Sequence, residues 1–273
     1  MLHRLVLGWL LLCACLGAQA AARELTIGIE PYFTPRLLIS SFQPMREALE
    51  RTLGQPVVLL TAPDYRQFVR RIEAREFDLV IIGPHTARYA EQQAGYRATL
   101  IGRARLLSLL VVKRDGGVRQ AADLSGQTIA MPDSLTATAM LGEEWLRKQN
   151  LRTALRYFDF HNAAAMAVLH GDVAAAFVNK TAFGHLPPEV RDSLRVLAET
   201  RSLPHMVVLL NGRYGPEERQ RYADAVAGFV NSAEHGESFA GKLGFAGADA
   251  VREGDLDVVE PLVAELRRRL RTE

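Results

Sequence analysis

Hydrogen-bond donors recur in this chain at one kind of address: after a run that reads as a strand and before one that reads as a helix. The richest case is Pro132–Asp133–Ser134–Leu135–Thr136–Ala137–Thr138–Ala139, which crowds small hydroxyl residues at the start of a helix. Three further loops share the address: Pro63–Asp64–Tyr65, Gly83–Pro84–His85–Thr86 and Asp159–Phe160–His161–Asn162. A helix start leaves backbone N–H groups unpaired and carries a partial positive charge, so it binds anions. The hydroxyls of Thr136 and Thr138, the Tyr65 phenol and the imidazoles of His85 and His161 would add side-chain donors. The chemistry on offer is capture of a compact anion. Each residue also has a plainer role. Ser134, Thr136 and Asn162 can act as N-caps, Tyr65 as a packing ring, the histidines as surface or capping groups, and Gly83–Pro84 as a turn.

Catalytic and metal signatures are absent. There is no G-x-S-x-G, no P-loop lysine motif and no H-E-x-x-H. His170, Asp172 and His185 do not stand at metal-ligand spacings. A hydrolase using His161 as base would lack a nucleophile, so no enzyme activity, metal or cofactor is expected. The 273 residues carry a formal net charge of +2, which gives no strong field for nucleic acid or a membrane surface. The basic run Arg267–Arg268–Arg269 reads as a solvated face of the last helix. Residues 1–20 read as a secretory signal peptide: Arg4, an apolar run over 5–12, then Ala18–Gln19–Ala20 as the cleavage site. Both cysteines, Cys13 and Cys15, lie inside it. Leu12–Cys13–Ala14–Cys15 also resembles a lipoprotein box, so a lipid anchor at Cys15 is the alternative to simple cleavage.

The elements that must position the four loops follow from the apolar pattern. Strands are predicted over 25–29, 57–60, 78–82, 127–131, 155–158, 173–178, 196–198 and 206–210, with a longer one over 106–113. Helices are predicted over 43–52, from Asp64 as N-cap with Phe68, Val69 and Ile72 facing the core, through Tyr89, to about residue 150, over 162–170, over 216–232, near Phe239, and over 258–271. The alternation predicts an α/β protein with parallel sheets covered on both faces. Two strand–helix series suggest two lobes: residues 23–106 plus 204–273, and residues 107–203. The chain would cross between them at 106–113 and 202–208. Ligands of parallel sheets bind beyond the carboxyl ends of the strands. With two of the loops in each lobe, all four converge on the cleft between them.

Taken in order, Ala62–Pro63–Asp64–Tyr65, Asp78–Leu79–Val80–Ile81–Ile82–Gly83–Pro84, Asp123–Leu124–Ser125–Gly126–Gln127–Thr128–Ile129–Ala130, the hydroxyl-rich helix start, Phe160–His161 and Gly171–Asp172–Val173–Ala174–Ala175 resemble the periplasmic phosphonate, phosphite and phosphate binding proteins of ABC importers. The resemblance spans roughly residues 25–178. It implies a two-lobed type II periplasmic-binding-protein (Venus-flytrap) fold and a periplasmic protein that hands a small oxyanion to an ABC permease. The alternative is a sensory binding protein that presents its ligand-bound form to a membrane signalling partner. Neighbouring genes would separate the two. A monomer is expected, with no nucleic-acid partner. The resemblance places the ligand at Tyr65, Thr136, Ala137, Thr138, Ala139 and His161, and the third loop adds Pro84 and His85. There Thr136–Ala137–Thr138–Ala139 replaces the family's Ser–Thr–Ser–Gly, His161 matches its histidine and Tyr65 its tyrosine. Ala137 lacks a hydroxyl, Ala139 replaces a glycine, and Ile82 stands where phosphonate binders carry an aromatic residue. Asn179 and Lys180 stand where aminophosphonate binders carry an acid, which points away from an aminoalkylphosphonate. An imidazolium at His161 would make affinity fall as pH rises.

Overall fold

The computed structural model describes residues 23–234, 239 and 243–272, so the leader with Cys13, Cys15 and its cleavage site lies outside the described residues. The chain runs β1 (Leu25–Ile29), α1 (Pro35–Leu53), β2 (Val57–Leu60), α2 (Tyr65–Glu73), β3 (Leu79–Ile82), α3 (Pro84–Ala94) and β4 (Arg97–Gly102). After β5 (Arg105–Leu106) come β6 (Ser108–Lys113), β7 (Thr128–Met131), α4 (Ala137–Lys148), β8 (Ala154–Tyr157), α5 (His161–His170) and β9 (Ala175–Asn179). Two short helices, α6 (Lys180–Gly184) and α7 (Pro188–Asp192), lead to β10 (Leu194–Glu199). The return passes through β11 (Leu203–Pro204), β12 (Val207–Leu210), α8 (Pro216–Val230), β13 (Ala248–Ala250) and α9 (Glu260–Thr272).

The strands form two main sheets, ordered β13-β4-β12-β3-β1-β2 and β10-β6-β9-β7-β8. Both are mixed, where purely parallel sheets were expected. β1, β2 and β3 run parallel, but β12 is antiparallel to β3 and to β4. In the second sheet β7, β8 and β9 run parallel and β6 is antiparallel to β9. The reason is connectivity. β6 and β12 are the strands by which the chain enters one sheet and returns to the other, so each runs against its neighbours. Strands β3 and β9 are buried along their whole length, as central strands covered on both faces must be.

The long strand expected over 106–113 is two strands. β5 pairs with β11 as a two-residue ribbon between the main sheets, and β6 belongs to the second sheet. Strand β4 was not anticipated, since its burial is uneven and arginine opens it. Helix α1 begins at Pro35, well before the predicted residue 43. Pro44 sits inside the helix, with Leu38, Phe42, Met45, Leu49 and Leu53 buried on one face. Pro44 and Ser40 are both exposed, so the Ser40 carbonyl that loses its helical partner faces water.

The two bodies are closed on each other. Leu135, Ala137, Met140 and Leu141 pack into the same apolar cluster as the first sheet. Phe33, before α1, meets His185, after α6, edge to face with ring centroids 4.9 Å apart. Arg269 corrects the reading of the basic run: it is nearly buried and reaches across from α9. Its guanidinium donates to the Ser134 carbonyl at 2.6 Å and to both Glu143 oxygens at 2.9 and 2.6 Å, while Nε donates to Glu265 at 2.6 Å.

Candidate functional site

Where the sheets face each other, one small cavity collects the starts of four helices. Tyr65 of α2, Gly83 and His85 at α3, Thr136, Ala137 and Thr138 at α4, and His161 of α5 all line it. Asp64 caps α2 by accepting the Gln67 N–H at 2.7 Å, as its position before an apolar run predicts. Pro84, at the first position of α3, has the φ a helix start requires. At α4, Asp133 Oδ1 accepts the Leu135 N–H at 2.8 Å and folds the turn that aims the helix at the cavity. The space open to the centre of a water-sized sphere is about 20 Å³, against the ~10–15 Å³ that one water needs. The cavity therefore takes a compact, single-centred group.

The residues divide sharply by what their polar atoms already do. Thr136 is a cap: its hydroxyl donates to the Asp133 carbonyl at 2.8 Å and accepts the Ala139 N–H at 3.1 Å. Met140 N–H donates to the Thr136 carbonyl. Of the first-turn N–H groups this leaves those of Ala137 and Thr138 for the cavity. The Thr138 side chain is buried at its wall, two residues past the cap. Pro84 and Ala139 are buried but do not line the space; one shapes the start of α3 and the other serves the Thr136 cap.

Both expected histidines are neutral. Burial pushes His85 down to about 4, with its bond to Leu135 opposing this and Arg269 adding to it. Its Nε2 lies 2.8 Å from the Leu135 carbonyl, which can only accept, so Nε2 carries the proton. Its Nδ1 is then a bare acceptor, buried and unpaired. Burial and the neighbouring His205 push His161 down to about 3. The Asn179 N–H donates to His161 Nδ1 at 3.4 Å, which leaves the ring proton on Nε2. Nε2 faces the Asn179 amide nitrogen at 3.3 Å, itself a donor, so its N–H has no acceptor there. The sequence left an imidazolium donor open at His161; burial makes the donor its neutral N–H.

Three further wall residues with titratable side chains escaped the sequence reading, beside the apolar Leu106 and Met206. Glu30 and Tyr32 follow β1, and His205 follows the β5–β11 ribbon. The address rule that found the other loops applies to the loop after β1 as well, but placing α1 at residue 43 hid it. Burial raises Glu30 to about 7, the Gly83 N–H at 3.0 Å opposes this, and the charge of Asp133 adds to it. Burial and the Glu30 charge raise both Tyr32 and Tyr65 well above the ordinary phenol range. The Tyr32 hydroxyl and both nitrogens of His205 are buried without a partner. Burial holds His205 down to about 4. Gly244, at φ +81°, lies against the His205 ring, and a Cβ there would overlap it.

A wider groove of about 420 Å³ lies outside the cavity, where Arg268 and Arg269 approach Asp133, Glu143 and Asp159. Arg269 is paired with Glu143 across the groove and Arg268 with Glu265 on its own helix, so it offers no comparable set of free donors. Among the described residues no group of acids and histidines has metal-binding geometry, and no helix is long and apolar enough to cross a membrane.

A family model described as "ABC transporter, phosphonate, periplasmic substrate-binding protein" matches residues 27–256. No curated protein matches the chain. Among solved structures, the binding component of an ABC phosphonate transporter from Pseudomonas aeruginosa is 19% identical, with 90% of this chain and 87% of that one covered and a TM-score of 0.78. PhnD1 from Prochlorococcus marinus, solved with methylphosphonate, is 15% identical over 90% of this chain and 98% of that one, with a TM-score of 0.78. A Xanthomonas citri protein solved with chloride is 18% identical over 90% and 98% of the two chains, with a TM-score of 0.71. At these identities the structures establish a shared two-lobed, type II periplasmic-binding-protein fold.

Proposed function

The chain belongs to the family of periplasmic substrate-binding proteins of phosphonate ABC transporters, and on that premise we propose that it captures a small tetrahedral oxyanion, of phosphonate, phosphite or phosphate type, between its lobes. The observation that carries the reading is the convergence of four helix starts on one small cavity of about 20 Å³. Helix N-termini and neutral N–H and O–H groups stabilise an anion without a full counter-charge. Thr138, Tyr65 and His161 are the side-chain donors, the N–H groups of Ala137 and Thr138 the backbone ones, and His85 completes the wall. Thr136 serves the site by fixing the start of α4.

Residues 23–106 plus 204–273 form the first lobe and 107–203 the second, a division supported by sheet membership and by the β5–β11 ribbon. Closure about that ribbon buries the anion, and the closed form engages the permease. The protein works as a monomer without catalysis, released into the periplasm by cleavage of residues 1–20. Calorimetric titration with phosphate, phosphite, methylphosphonate and sulfate, with an amino acid and a sugar as controls, tests the reading. At least one oxyanion should bind in the micromolar range or tighter. Binding of the amino acid or sugar with no oxyanion bound refutes it.

A further inference from the structure

The cavity wall contains an acid and no lysine or arginine. Glu30 is 6% exposed. Its Oε2 accepts the Gly83 N–H at 3.0 Å, and Oε1 takes no hydrogen bond. A Cβ on Gly83 would lie 3.4 Å from Oε1 and 3.7 Å from His85 Nδ1, so the two sit at one corner of the cavity. Both are acceptors. A fully ionised oxyanion offers only acceptors in return. Placed beside an ionised carboxylate in a water-poor space, it would set two negative charges in contact, a state such pairs avoid by retaining a proton. An oxyanion bearing one acidic hydrogen supplies the missing donor.

We propose that Glu30 determines the specificity of the site, and that the protein takes up its oxyanion together with one proton shared between a ligand oxygen and Glu30 Oε1. The inference rests on the oxyanion reading and narrows it to forms that bear one acidic hydrogen: a hydrogen phosphonate, hydrogen phosphite or hydrogen phosphate. Sulfate, which has no such hydrogen near neutrality, binds only when Glu30 supplies the proton. The groups around Glu30 fit the role. Tyr32 from its own loop and Tyr65 of α2 are neutral donors, and Asp133 before α4 adds negative charge. His85 of α3, His161 of α5 and His205 after the ribbon are buried and neutral. No fixed cation in the wall competes for the carboxylate.

The test is calorimetric titration of the mature protein and its Glu30→Gln variant with methylphosphonate and with sulfate. Each is run across pH and in buffers of different ionisation enthalpy. At about pH 8.5, where carboxylate and ligand are both ionised when apart, the wild type should take up about one proton per anion. Its affinity should fall about tenfold per pH unit in that range. In Glu30→Gln the amide donates to an ionised oxygen, so the alkaline fall should vanish and sulfate should bind more tightly than to the wild type. A wild type that binds anions with no proton uptake overturns the inference alone, and so do parallel alkaline falls in the two proteins. A wild type that binds no oxyanion overturns the functional reading with it. The wild-type proton count decides the matter even where the variant does not fold.

Discussion

Arg269→Met keeps most of the side chain's length and removes the guanidinium that ties α9 to the start of α4. In the closed form three of its four side-chain bonds cross between the lobes: to the Ser134 carbonyl at 2.6 Å and to Glu143 at 2.9 and 2.6 Å. The fourth, to Glu265 at 2.6 Å, lies within α9 and survives opening. The Arg269 and Glu143 side chains are 10% and 21% exposed, so water screens the pair little. A hydrogen bond to a charged group contributes about 1.5–3 kcal/mol. Opening returns both ions to water, which offsets part of the sum, so the three together favour closure by roughly 2–4 kcal/mol. At 1.36 kcal/mol per decade, this shifts the closed-to-open ratio by roughly 30- to 1,000-fold. Apparent affinity scales with the closed fraction. Where the free wild type is mainly open, the dissociation constant rises by the whole factor; where it is mainly closed, the first part of the loss is absorbed. Titration with the tightest oxyanion, paired with solution scattering with and without it, measures both quantities. The variant should bind at least tenfold more weakly and scatter as a more extended particle when free. Unchanged affinity with an unchanged scattering profile would refute the latch.

Thr138→Ala should weaken anion binding by about tenfold to a hundredfold and barely move the melting temperature, whereas Thr136→Ala should lower stability by about 1 kcal/mol as a lost cap; calorimetry and thermal melts on both variants separate the roles. Folded-state values near 4, 3 and 4 for His85, His161 and His205 lie below the ordinary 6.5, so their contribution is intact above about pH 6.5 and is lost as pH falls. Near pH 5 each costs about 2 kcal/mol. Glu30, raised to about 7, runs the other way: its contribution is full below about pH 4.5, is lost as pH rises through 7, and returns about 2 kcal/mol between pH 7.5 and 5. Denaturant melts of the free protein should thus show a net loss of roughly 2–4 kcal/mol over that interval, and a flat profile would argue against buried neutral histidines. Gly244→Ala should weaken binding and folding together, since it strains a left-handed φ and displaces the His205 ring; wild-type melting and affinity would show that the ring does not need that place. Mass spectrometry of the exported protein should find the N-terminus just after Ala20 and no lipid on Cys15.

What the sequence made legible was local. Asp64 before Phe68, Val69 and Ile72, and Thr136 before a run of small residues, announce helix starts because capping and helical periodicity act within a few residues. The four loops met as expected because parallel strands put their carboxyl ends on one side. Non-local facts stayed hidden. Arg269 reads like Arg267 and Arg268 until the fold brings Glu143 and Ser134 to it. Glu30 looks like a strand terminator, and only burial gives it an unusual proton affinity. Strands β5, β11 and β13 are two or three residues long, too short for an alternation to show, and pairing alone defines them. Helix α1 tolerates Pro44 because the cost of a proline depends on which way the freed carbonyl faces, which no pattern of residue types records.

The ribbon of β5 and β11 has a kinematic consequence. Points on the axis of a rotation do not travel, and points far from it sweep the longest arcs. Leu106, His205 and Met206 belong to the ribbon or adjoin it, and all three also line the cavity. In the closure proposed above, one wall of the cavity is therefore nearly stationary, whereas Thr138 and His161, at the tips of helices on the second sheet, travel with their lobe. An arriving anion meets the stationary wall and the donors of one lobe first, so capture proceeds at a rate set by a surface that already has its final shape. The travelling donors arrive afterwards and determine how long the anion stays. Substitutions near the axle should then act on the association rate, and those on the moving lobe on the dissociation rate.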